Sequence, residues 1–193
     1  MFDFDRKKQS ALAKYQRALA EGAVDELAKP LVVLINQFPN YYTTSSCVGR
    51  FVLLSKLSFR NKYSAAFVYK THDLPVEKEV LNHATSPFEG QLWLNVEPPT
   101  FHVGTRTVQE ASDLLKIALD AQMGYSMIKT VARSIVVEVR GTGLLQMPIG
   151  QDGELLIADN HLRYTVDLAR EIMTDERERL DRWRRSLEDR LDV

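Results

Sequence analysis

The stretch Gln91-Leu-Trp-Leu-Asn-Val-Glu97 alternates apolar with polar side chains, and Pro98-Pro99 follows it directly. Alternation with a period of two is typical of a β-strand that buries one face. The two prolines interrupt the hydrogen-bond ladder, because proline has no amide N–H to donate. A second extended segment follows around His102. The sequence therefore predicts a half-buried strand in the middle of the chain, with a further extended segment after the prolines.

Helical patterns lie on both sides of this stretch. Thr107-Val-Gln-Glu110 matches a capping box, in which the hydroxyl and the carboxylate each satisfy a free amide at a helix start. Pro30 must begin or kink another helix, because its ring does not fit a regular helix interior. The predicted helices cover residues 5–20, 24–37, 75–83 and 107–122, and about the last forty residues of the chain.

β-Branched and aromatic residues mark the other predicted strands. These strands cover residues 51–57, 64–69 and 134–139, and two short strands flank a turn at 150–153. Strands and helices do not alternate steadily, so the pattern does not indicate an all-parallel sheet. We therefore predict an α+β fold. It is a single domain with a mixed, largely antiparallel sheet, flanked by helices and followed by a long C-terminal helix.

A doubly wound nucleotide-binding fold needs a Gly-x-Gly-x-x-Gly turn between a strand and a helix. The nearest match, Arg140-Gly-Thr-Gly143, follows a predicted strand but contains only the first two glycines. We therefore do not expect that fold.

The predicted C-terminal helix carries a stripe of large apolar residues at near-heptad spacing. These residues are Ile172, Leu180, Trp183, Leu187 and Leu191. Such a stripe can pack on the body of the same chain or on a second subunit. We expect the helix to fold back on the body, and a homodimer stays open.

Length, charge and cysteine content restrict the class of protein. The chain has 193 residues, of which 45% are hydrophobic, and this is enough for one domain with a substantial core. Its net charge of -1 argues against a protein that coats nucleic acid without specificity, although it allows a local basic patch. The single cysteine, Cys47, excludes an internal disulfide and a multi-thiolate metal site, so we expect no metal and a cytoplasmic location. No apolar run is long enough to cross a bilayer, so we expect no membrane association.

The segment Tyr41-Tyr-Thr-Thr-Ser-Ser-Cys-Val-Gly-Arg50 concentrates hydroxyls, a thiol, a glycine and a guanidinium in ten residues. Hydroxyls and amides in a Ser/Thr/Gly turn can form a nest for an anionic oxygen, and Arg50 could clamp a phosphate or carboxylate. The alternative is a loop that its own side-chain to backbone hydrogen bonds stabilise.

Residues 36–50 resemble the signature of the wybutosine-synthesis tRNA methyltransferase family, which is found in archaea and eukaryotes. Further blocks resemble the family's pattern and follow in the family's order. They are Gly22-Ala-Val-Asp-Glu26, His72 after a strand, Val96-Glu-Pro-Pro-Thr-Phe-His-Val103, the helix at 111–121, Arg140-Gly-Thr142, and Met147-Pro148. The resemblance spans about residues 20–170, and an ordered set of blocks is more specific than any single one.

Three positions depart from the family's pattern. Val48 stands where the family commonly has serine, and Gln122 and Met127 stand where it usually has glycine. Glycine enters positive φ at little cost, so the two missing glycines bear on the local backbone after the helix at 107–122.

The resemblance implies transfer of a methyl group from S-adenosylmethionine to the N-4 nitrogen of a demethylated wyosine intermediate. This intermediate is a modified guanosine beside the anticodon of phenylalanine tRNA. The acceptor nitrogen must lose a proton, and the candidates for the catalytic base are His72, His102 and Glu97. The candidates for cofactor binding are Thr44, Ser45, Ser46, Cys47, Gly49 and Arg50. The candidates for RNA binding are Tyr42, Arg106, Arg140 and Thr142. A base could stack on Tyr42, Tyr41 or Trp93.

Two other functions stay open at this point. The first is a hydrolase or acyl transferase that uses Ser46 or Cys47 as nucleophile and a histidine as base. The absence of a Gly-x-Ser-x-Gly motif argues against it. The second is a non-catalytic RNA-binding module, in which the hydroxyl-rich segment only grips phosphate.

Overall fold

The computed structural model describes residues 3–57 and 65–190 of the chain. Within these residues the chain forms nine strands and five α-helices. The α-helices are α1 (Phe4–Ala20), α2 (Lys29–Gln37), α3 (Glu77–Ala84), α4 (Val108–Asp120) and α5 (Asp159–Arg190). The strands are β1 (Tyr41–Cys47), β2 (Arg50–Lys56), β3 (Ala65–Thr71), β4 (Gln91–Glu97), β5 (Thr100–Thr105), β6 (Met127–Thr130), β7 (Ile135–Arg140), β8 (Leu145–Gln151) and β9 (Glu154–Leu155).

The strands form two sheets, and every described strand pairing is antiparallel. Sheet A has the order β1-β5-β7-β6, and sheet B has the order β3-β2-β4-β8-β9. This confirms the predicted α+β class with antiparallel pairing and a long C-terminal helix. It also adds the division of the strands into two sheets, which the periodicity of single strands does not reveal.

The chain divides into two compact units. Unit 1 takes its residues from 1–48, 99–142 and 177–193, and unit 2 takes its residues from 49–98 and 143–176. Sheet A belongs to unit 1 and sheet B to unit 2. The single domain that we expect from the chain length stays a prediction.

The core of unit 1 lies on one face of sheet A. Phe101, Val103 and Val137 of the sheet are fully buried there, together with side chains of α2, α4 and the end of α5. The core of unit 2 lies on one face of sheet B, where α3 and the first part of α5 contribute buried residues. Each sheet therefore has an inner face, which builds the core, and an outer face.

The C-terminal helix packs on the body of its own chain, as predicted. Leu180, Trp183 and Leu187 are buried in the core of unit 1, and Trp183 meets Phe101 with 5.4 Å between ring centroids. Ile172 packs against the core of unit 2. Leu191 of the predicted stripe lies outside the described residues, as does Ser64 of a predicted strand.

The hydroxyl-rich segment is a strand, which corrects the predicted turn. Residues 41–43 and 45–47 pair with β5, and Thr44 is an extra residue without a partner on that strand, so the segment belongs to a ladder and does not form a nest. Only Val48 and Gly49 connect β1 to β2. Tyrosine and threonine favour strands because their side chains pack well on a pleated surface, and this preference prevails over the turn preference of serine.

Of the helices in the described part of the chain, none combines the length and the apolar character needed to cross a bilayer.

Candidate functional site

Register along sheet A brings three polar side chains together on its outer face. His102 of β5 lies opposite Ser45 of β1 on one side and opposite Glu138 of β7 on the other. Their neighbours Phe101 and Val137 point to the inner face, where both are fully buried. Because side chains alternate along a strand, His102 and Glu138 lie on the opposite, outer face.

These side chains form a continuous hydrogen-bonded line. Ser45 Oγ lies 2.7 Å from His102 Nδ1, and His102 Nε2 lies 2.6 Å from Glu138 Oε2. Lys129 of β6 pairs with Glu138, and its Nζ lies 2.8 Å from His102 Nε2. The Thr44 hydroxyl donates to the backbone carbonyl of His102 at 3.3 Å.

Glu138 holds its negative charge in this cluster. The hydrogen bonds from Lys129 and then from His102 keep the pKa of Glu138 below its ordinary value, against the opposing effect of burial. An ionised carboxylate only accepts hydrogen bonds, so His102 donates to it from Nε2 when that nitrogen carries the ring proton. Nδ1 is then unprotonated and accepts the hydrogen bond of the Ser45 hydroxyl. The reverse arrangement, with Lys129 donating to Nε2, places the proton on Nδ1 and directs it at Ser45 Oγ.

A cavity of about 540 Å³ lies beside this cluster, between α1 and β1 of unit 1. Its volume falls in the usual range for small-molecule sites, roughly 300–1,000 Å³. Part of the wall is apolar, with Val24, Val32 and Val136 among its residues. The polar part of the wall carries two cations, one carboxylate and several hydroxyls: Lys7, Lys14, Asp25, Ser10, Tyr15, Tyr42, Thr43, Thr44, Ser45, Ser46 and Ser134. Ser45 therefore belongs both to the cavity wall and to the hydrogen-bonded line.

Two groups at the cavity wall suit a polar ligand. The Tyr15 hydroxyl is buried and has no hydrogen-bond partner among the described residues, and burial raises its pKa. A buried donor of this kind costs free energy unless a ligand or a water satisfies it. Lys14 is exposed and adds a positive charge. The donor set therefore fits a ligand that has an anionic group, several hydrogen-bonding groups and an apolar part.

Two of the predicted RNA-binding residues lie near the end of β7. Arg140 follows Glu138 by two residues, so the two side chains share the outer face of sheet A. Its Nε is buried and has no hydrogen-bond partner among the residues that the structure describes. The Thr142 hydroxyl accepts a hydrogen bond from Arg179.

The other two predicted RNA-binding residues fasten α1 to sheet A. Tyr42 is 3% exposed, and its ring meets Phe4 at a centroid distance of 5.3 Å. A methyl group at Gly104 would collide with the Tyr42 ring. The Arg106 guanidinium forms an ion pair with Asp5, at 2.7 Å, and lies 4.3 Å from the centroid of Phe4. These contacts hold α1 against sheet A, and the RNA-binding role of both residues stays a prediction.

The remaining candidates lie in unit 2. Arg50 Nε donates to Glu97 Oε2 at 2.6 Å, since the two residues lie directly opposite each other on β2 and β4. His72 Nδ1 lies 2.9 Å from the backbone carbonyl of Gly49, whose φ of 90° favours glycine. A carbonyl only accepts, so Nδ1 carries the proton. Arg50 and Glu97 form one pair, and His72 fastens the backbone at Gly49.

The contacts of His102 bear on the hydrolase hypothesis. The hydroxyl bonded to His102 is that of Ser45, whereas Ser46 and Cys47 were the predicted nucleophiles. Cys47 is half-buried on β1 and lies opposite Thr100. The histidine is therefore engaged with a different side chain.

Two residues of the cluster, Lys129 and Glu138, were absent from the sequence-based candidates. Glu138 does leave a signal, because it is a lone carboxylate in the β-branched run Ile135-Val-Val-Glu-Val-Arg140. A charged residue in such a run indicates a strand whose polar face carries a partner. Lys129 leaves no comparable signal, since β6 is only four residues long.

Comparison with known proteins gives a consistent result. The family model described as Methyltransferase TYW3 matches residues 6–189. The chain is 37% identical over 188 residues to a Pyrococcus abyssi protein named tRNA(Phe) 7-((3-amino-3-carboxypropyl)-4-demethylwyosine(37)-N(4))-methyltransferase 1, with 97% of each chain covered. A Pyrococcus horikoshii protein of the same name is 35% identical, with 93% of this chain and 92% of that one covered.

Solved structures are also similar. A protein from Pyrococcus horikoshii has a TM-score of 0.92 and 34% identity, with 95% of each chain covered. A hypothetical protein from Aeropyrum pernix has a TM-score of 0.74 and 26% identity, with 86% of this chain and 98% of that one covered. The fold of this chain therefore occurs in solved structures of archaeal proteins.

Proposed function

Because this chain belongs to the Methyltransferase TYW3 family, we propose that it transfers a methyl group from S-adenosylmethionine to the N-4 nitrogen of a demethylated wyosine in phenylalanine tRNA. The names of its relatives specify this acceptor. The chain is a tRNA methyltransferase, and the reaction is a step in the synthesis of wybutosine or a related wyosine derivative.

The cavity between α1 and β1 is the proposed binding site of the methyl donor. S-adenosylmethionine supplies an electrophilic methyl group on a positively charged sulfur when it is bound. Lys14 is suited to its carboxylate, and Tyr15 and the hydroxyls of β1 are suited to its other polar groups. The valines of the wall are suited to apolar contact with the adenine ring.

His102 is the proposed base, and Ser45 connects it to the cavity. The acceptor nitrogen must release a proton, and Ser45 Oγ is the group of the hydrogen-bonded line that faces the cavity. Ser45 passes its own proton to His102 Nδ1 as it takes up that of the acceptor. Glu138 stabilises the positive charge that then develops on the imidazole. The observation that carries this proposal is that Ser45 lines the cavity and is also hydrogen-bonded to His102.

Arg140 is the proposed phosphate contact beside this base. Arg140 lies two residues after Glu138 on the same face of sheet A, and the guanidinium of an arginine can donate to a phosphate oxygen. A phosphate contact fixes the register of an RNA without reading its bases. The role of catalytic base for His72 and Glu97 and the cofactor contact of Arg50 stay predictions.

A methyl-transfer assay with the demethylated tRNA and labelled S-adenosylmethionine tests the proposal. We expect Ser45→Ala and His102→Ala to lower kcat by roughly 10²- to 10⁴-fold, the usual contribution of a positioned acid or base. Ser45→Thr keeps a hydroxyl and should retain much of the rate. His161→Ala, in an exposed position on α5, is the matched control and should transfer at the wild-type rate.

Two results would contradict this scheme. A folded wild-type chain that transfers no methyl group to the demethylated tRNA would overturn the function. Full activity in Ser45→Ala would overturn the role of Ser45, and the proton of the acceptor would then need another route.

A further inference from the structure

The outer face of sheet B carries cations and aromatic rings in adjacent positions. On β2 the outward positions are Arg50, Val52, Leu54 and Lys56, because their neighbours Phe51, Leu53 and Ser55 point toward the core. Val52 is fully buried and Asn95, opposite it on β4, is 2% exposed, so the accessible part of the face is formed by the longer side chains around these two. Trp93 of β4 and Phe67 of β3 both lie opposite Leu54. Lys70 of β3 lies opposite Val52. The inner face differs, since α3 and α5 build the core there.

Each aromatic ring on this face has a cation next to it. Lys56 Nζ lies 4.6 Å from the centroid of Trp93. Arg50 Cζ and Lys70 Nζ each lie 5.4 Å from the centroid of Phe67. Phe67 nevertheless keeps 54% of its surface exposed. More than half of the Phe67 surface is therefore available to a partner.

The charge of the face is positive although the chain is slightly acidic. Arg50, Lys56 and Lys70 are its cations on β2, β3 and β4, and Glu97 is the carboxylate that faces them, paired with Arg50. Across these three strands the excess is two positive charges. Glu154 of β9 lies opposite Gln151 on the same face and reduces this excess to one, against a net charge of -1 for the whole chain. This excess selects an anionic partner.

We propose that the outer face of sheet B docks single-stranded nucleotides of the tRNA substrate, with bases stacked on Phe67 and Trp93 and phosphates held by Lys56 and Lys70. The identification of the RNA as the tRNA rests on the proposed function. Aromatic platforms with adjacent cations are the usual means of holding unpaired nucleotides, because every base has a face that can stack. A double helix offers no free base faces, so the partner is the loop around the modified guanosine and not the stem.

Binding of a labelled anticodon stem–loop RNA, followed by fluorescence anisotropy without methyl donor, tests the platform. We expect Phe67→Ala and Trp93→Ala to weaken binding roughly 5- to 150-fold each, the range for loss of one stacked base. Phe67→Leu keeps the apolar body without the aromatic ring and should be nearly as weak, whereas Trp93→Phe should bind almost as wild type does. Tyr164→Ala is the matched control, because Tyr164 is 65% exposed on α5 of the same unit.

The salt dependence of binding tests the cations. Each phosphate contact to a single strand contributes about 0.7 to the slope of log affinity against log salt concentration. Lys56→Gln and Lys70→Gln should each lower the slope by about this amount, and Lys78→Gln, an exposed cation on α3, should leave it unchanged.

The outcomes separate this inference from the proposed function. Loop binding within about twofold of wild type in both Phe67→Leu and Trp93→Ala would overturn the platform, even if the wild type transfers methyl groups. Altered sedimentation of these variants with unaltered RNA binding would also overturn it, since the face would then contact protein. Loop binding that depends on Phe67 and Trp93, in a chain that transfers no methyl group, would support the platform and overturn only the reaction.

Discussion

Glu138 is the residue on which the polar cluster of sheet A depends. It is 9% exposed, and it accepts hydrogen bonds from both Lys129 and His102. Replacing it removes the acceptor from two donors at once, and water can replace that acceptor only in part, because the His102 side chain is 26% exposed and that of Lys129 49%. Its carboxylate therefore contributes to the stability of the unit as well as to the orientation of the imidazole.

The pKa of Glu138 predicts how stability depends on pH. A carboxyl whose pKa is lower in the folded than in the unfolded chain stabilises the fold above its unfolded pKa, and this contribution is lost as pH falls through the folded pKa. Below pH 4.5, the ordinary pKa of a glutamate carboxyl, the stability of the wild type should thus fall more steeply with pH than that of Glu138→Gln. Urea unfolding from about pH 6 to about pH 3 measures the difference.

The control for this measurement is Glu154→Gln, an exposed carboxyl on β9. The free energy of unfolding of this variant should change with pH in parallel with that of the wild type over the same pH range. Parallel curves for Glu138→Gln and wild type would show that the charge of Glu138 is not linked to folding.

At the scale of the element, α1 and α4 end in the same way with different residues. In α1, Ala23 N donates to Ala18 O and Gly22 N to Leu19 O. In α4, Met123 N donates to Ala118 O and Gln122 N to Leu119 O. Both are Schellman motifs, which need a residue in the left-handed region. Gly22 has a φ of 64° and Gln122 a φ of 67°, so a non-glycine residue occupies this position in α4.

Removing the glycine from one helix end and introducing a glycine at the other should therefore have opposite effects on the stability of the protein. Gly22→Ala should destabilise the protein by about 1 kcal/mol, because the added methyl group meets nothing within 4 Å and the cost is that of the backbone alone. Gln122→Gly should stabilise it by about 0.5–1 kcal/mol, since relief of strain exceeds the added entropy of the unfolded chain. Chemical denaturation of both variants checks the signs.

The hydrogen bond from Arg182 to Gln122 Oε1, at 2.9 Å, is the interaction that Gln122→Gly gives up. It is exposed, so its loss should be small. Destabilisation of Gln122→Gly would mean that this side-chain contact outweighs the backbone strain. Gln122→Ala keeps the strain without the contact and should be less stable than both.

Local pattern predicted some elements well and others not at all. The bounds of β4 agree with the prediction, because its alternation is complete, and the capping box of α4 is present with both hydrogen bonds. β1 was predicted as a turn, since its hydroxyls are common in turns and its pairing partner lies far along the chain. The family was identified from several motifs that occur in the family's order, and the pattern of single elements would not have identified it.

The candidate site was predicted only in part, for a related reason. Ser45 and His102 were among the predicted residues, but they are 57 positions apart, and Glu138 is a further 36 positions along. Only the register of β1, β5 and β7 brings the three together, and register is a property of the folded sheet. Two of the three residues were therefore predictable from the sequence, whereas Glu138 and the connection between all three depend on the folded sheet.

At the scale of the whole molecule, each unit has its own core, and the proposed donor cavity is lined only by residues of unit 1. A ligand that binds only the folded form stabilises it in proportion to the logarithm of its concentration over Kd. Donor binding should therefore be visible in the thermal unfolding of the intact chain, without any RNA.

S-adenosylmethionine at about 100 times its Kd should stabilise the fold by about 2.7 kcal/mol, which corresponds to a rise in Tm of roughly 5–10 °C. Lys14→Gln should show a smaller rise at the same concentration. Arg17→Gln is the matched control, because this cation also lies on α1 but does not line the cavity, and it should show the full rise. Equal rises in the two variants would remove Lys14 from the donor site.

The extra residue in β1 bears on how this strand tolerates inherited change. The register passes from Thr43 opposite Val103 directly to Ser45 opposite His102, so Thr44 has no counterpart on β5. Deletion of Thr44 would leave every residue pair between β1 and β5 intact. Loss of a codon at 42 would instead move Tyr41 to the opposite side of the sheet, unless the strand slid by one residue to absorb the gap. In β1, deletion is therefore tolerated at Thr44, whereas deletion of a paired residue next to it changes which face of the sheet the side chains occupy.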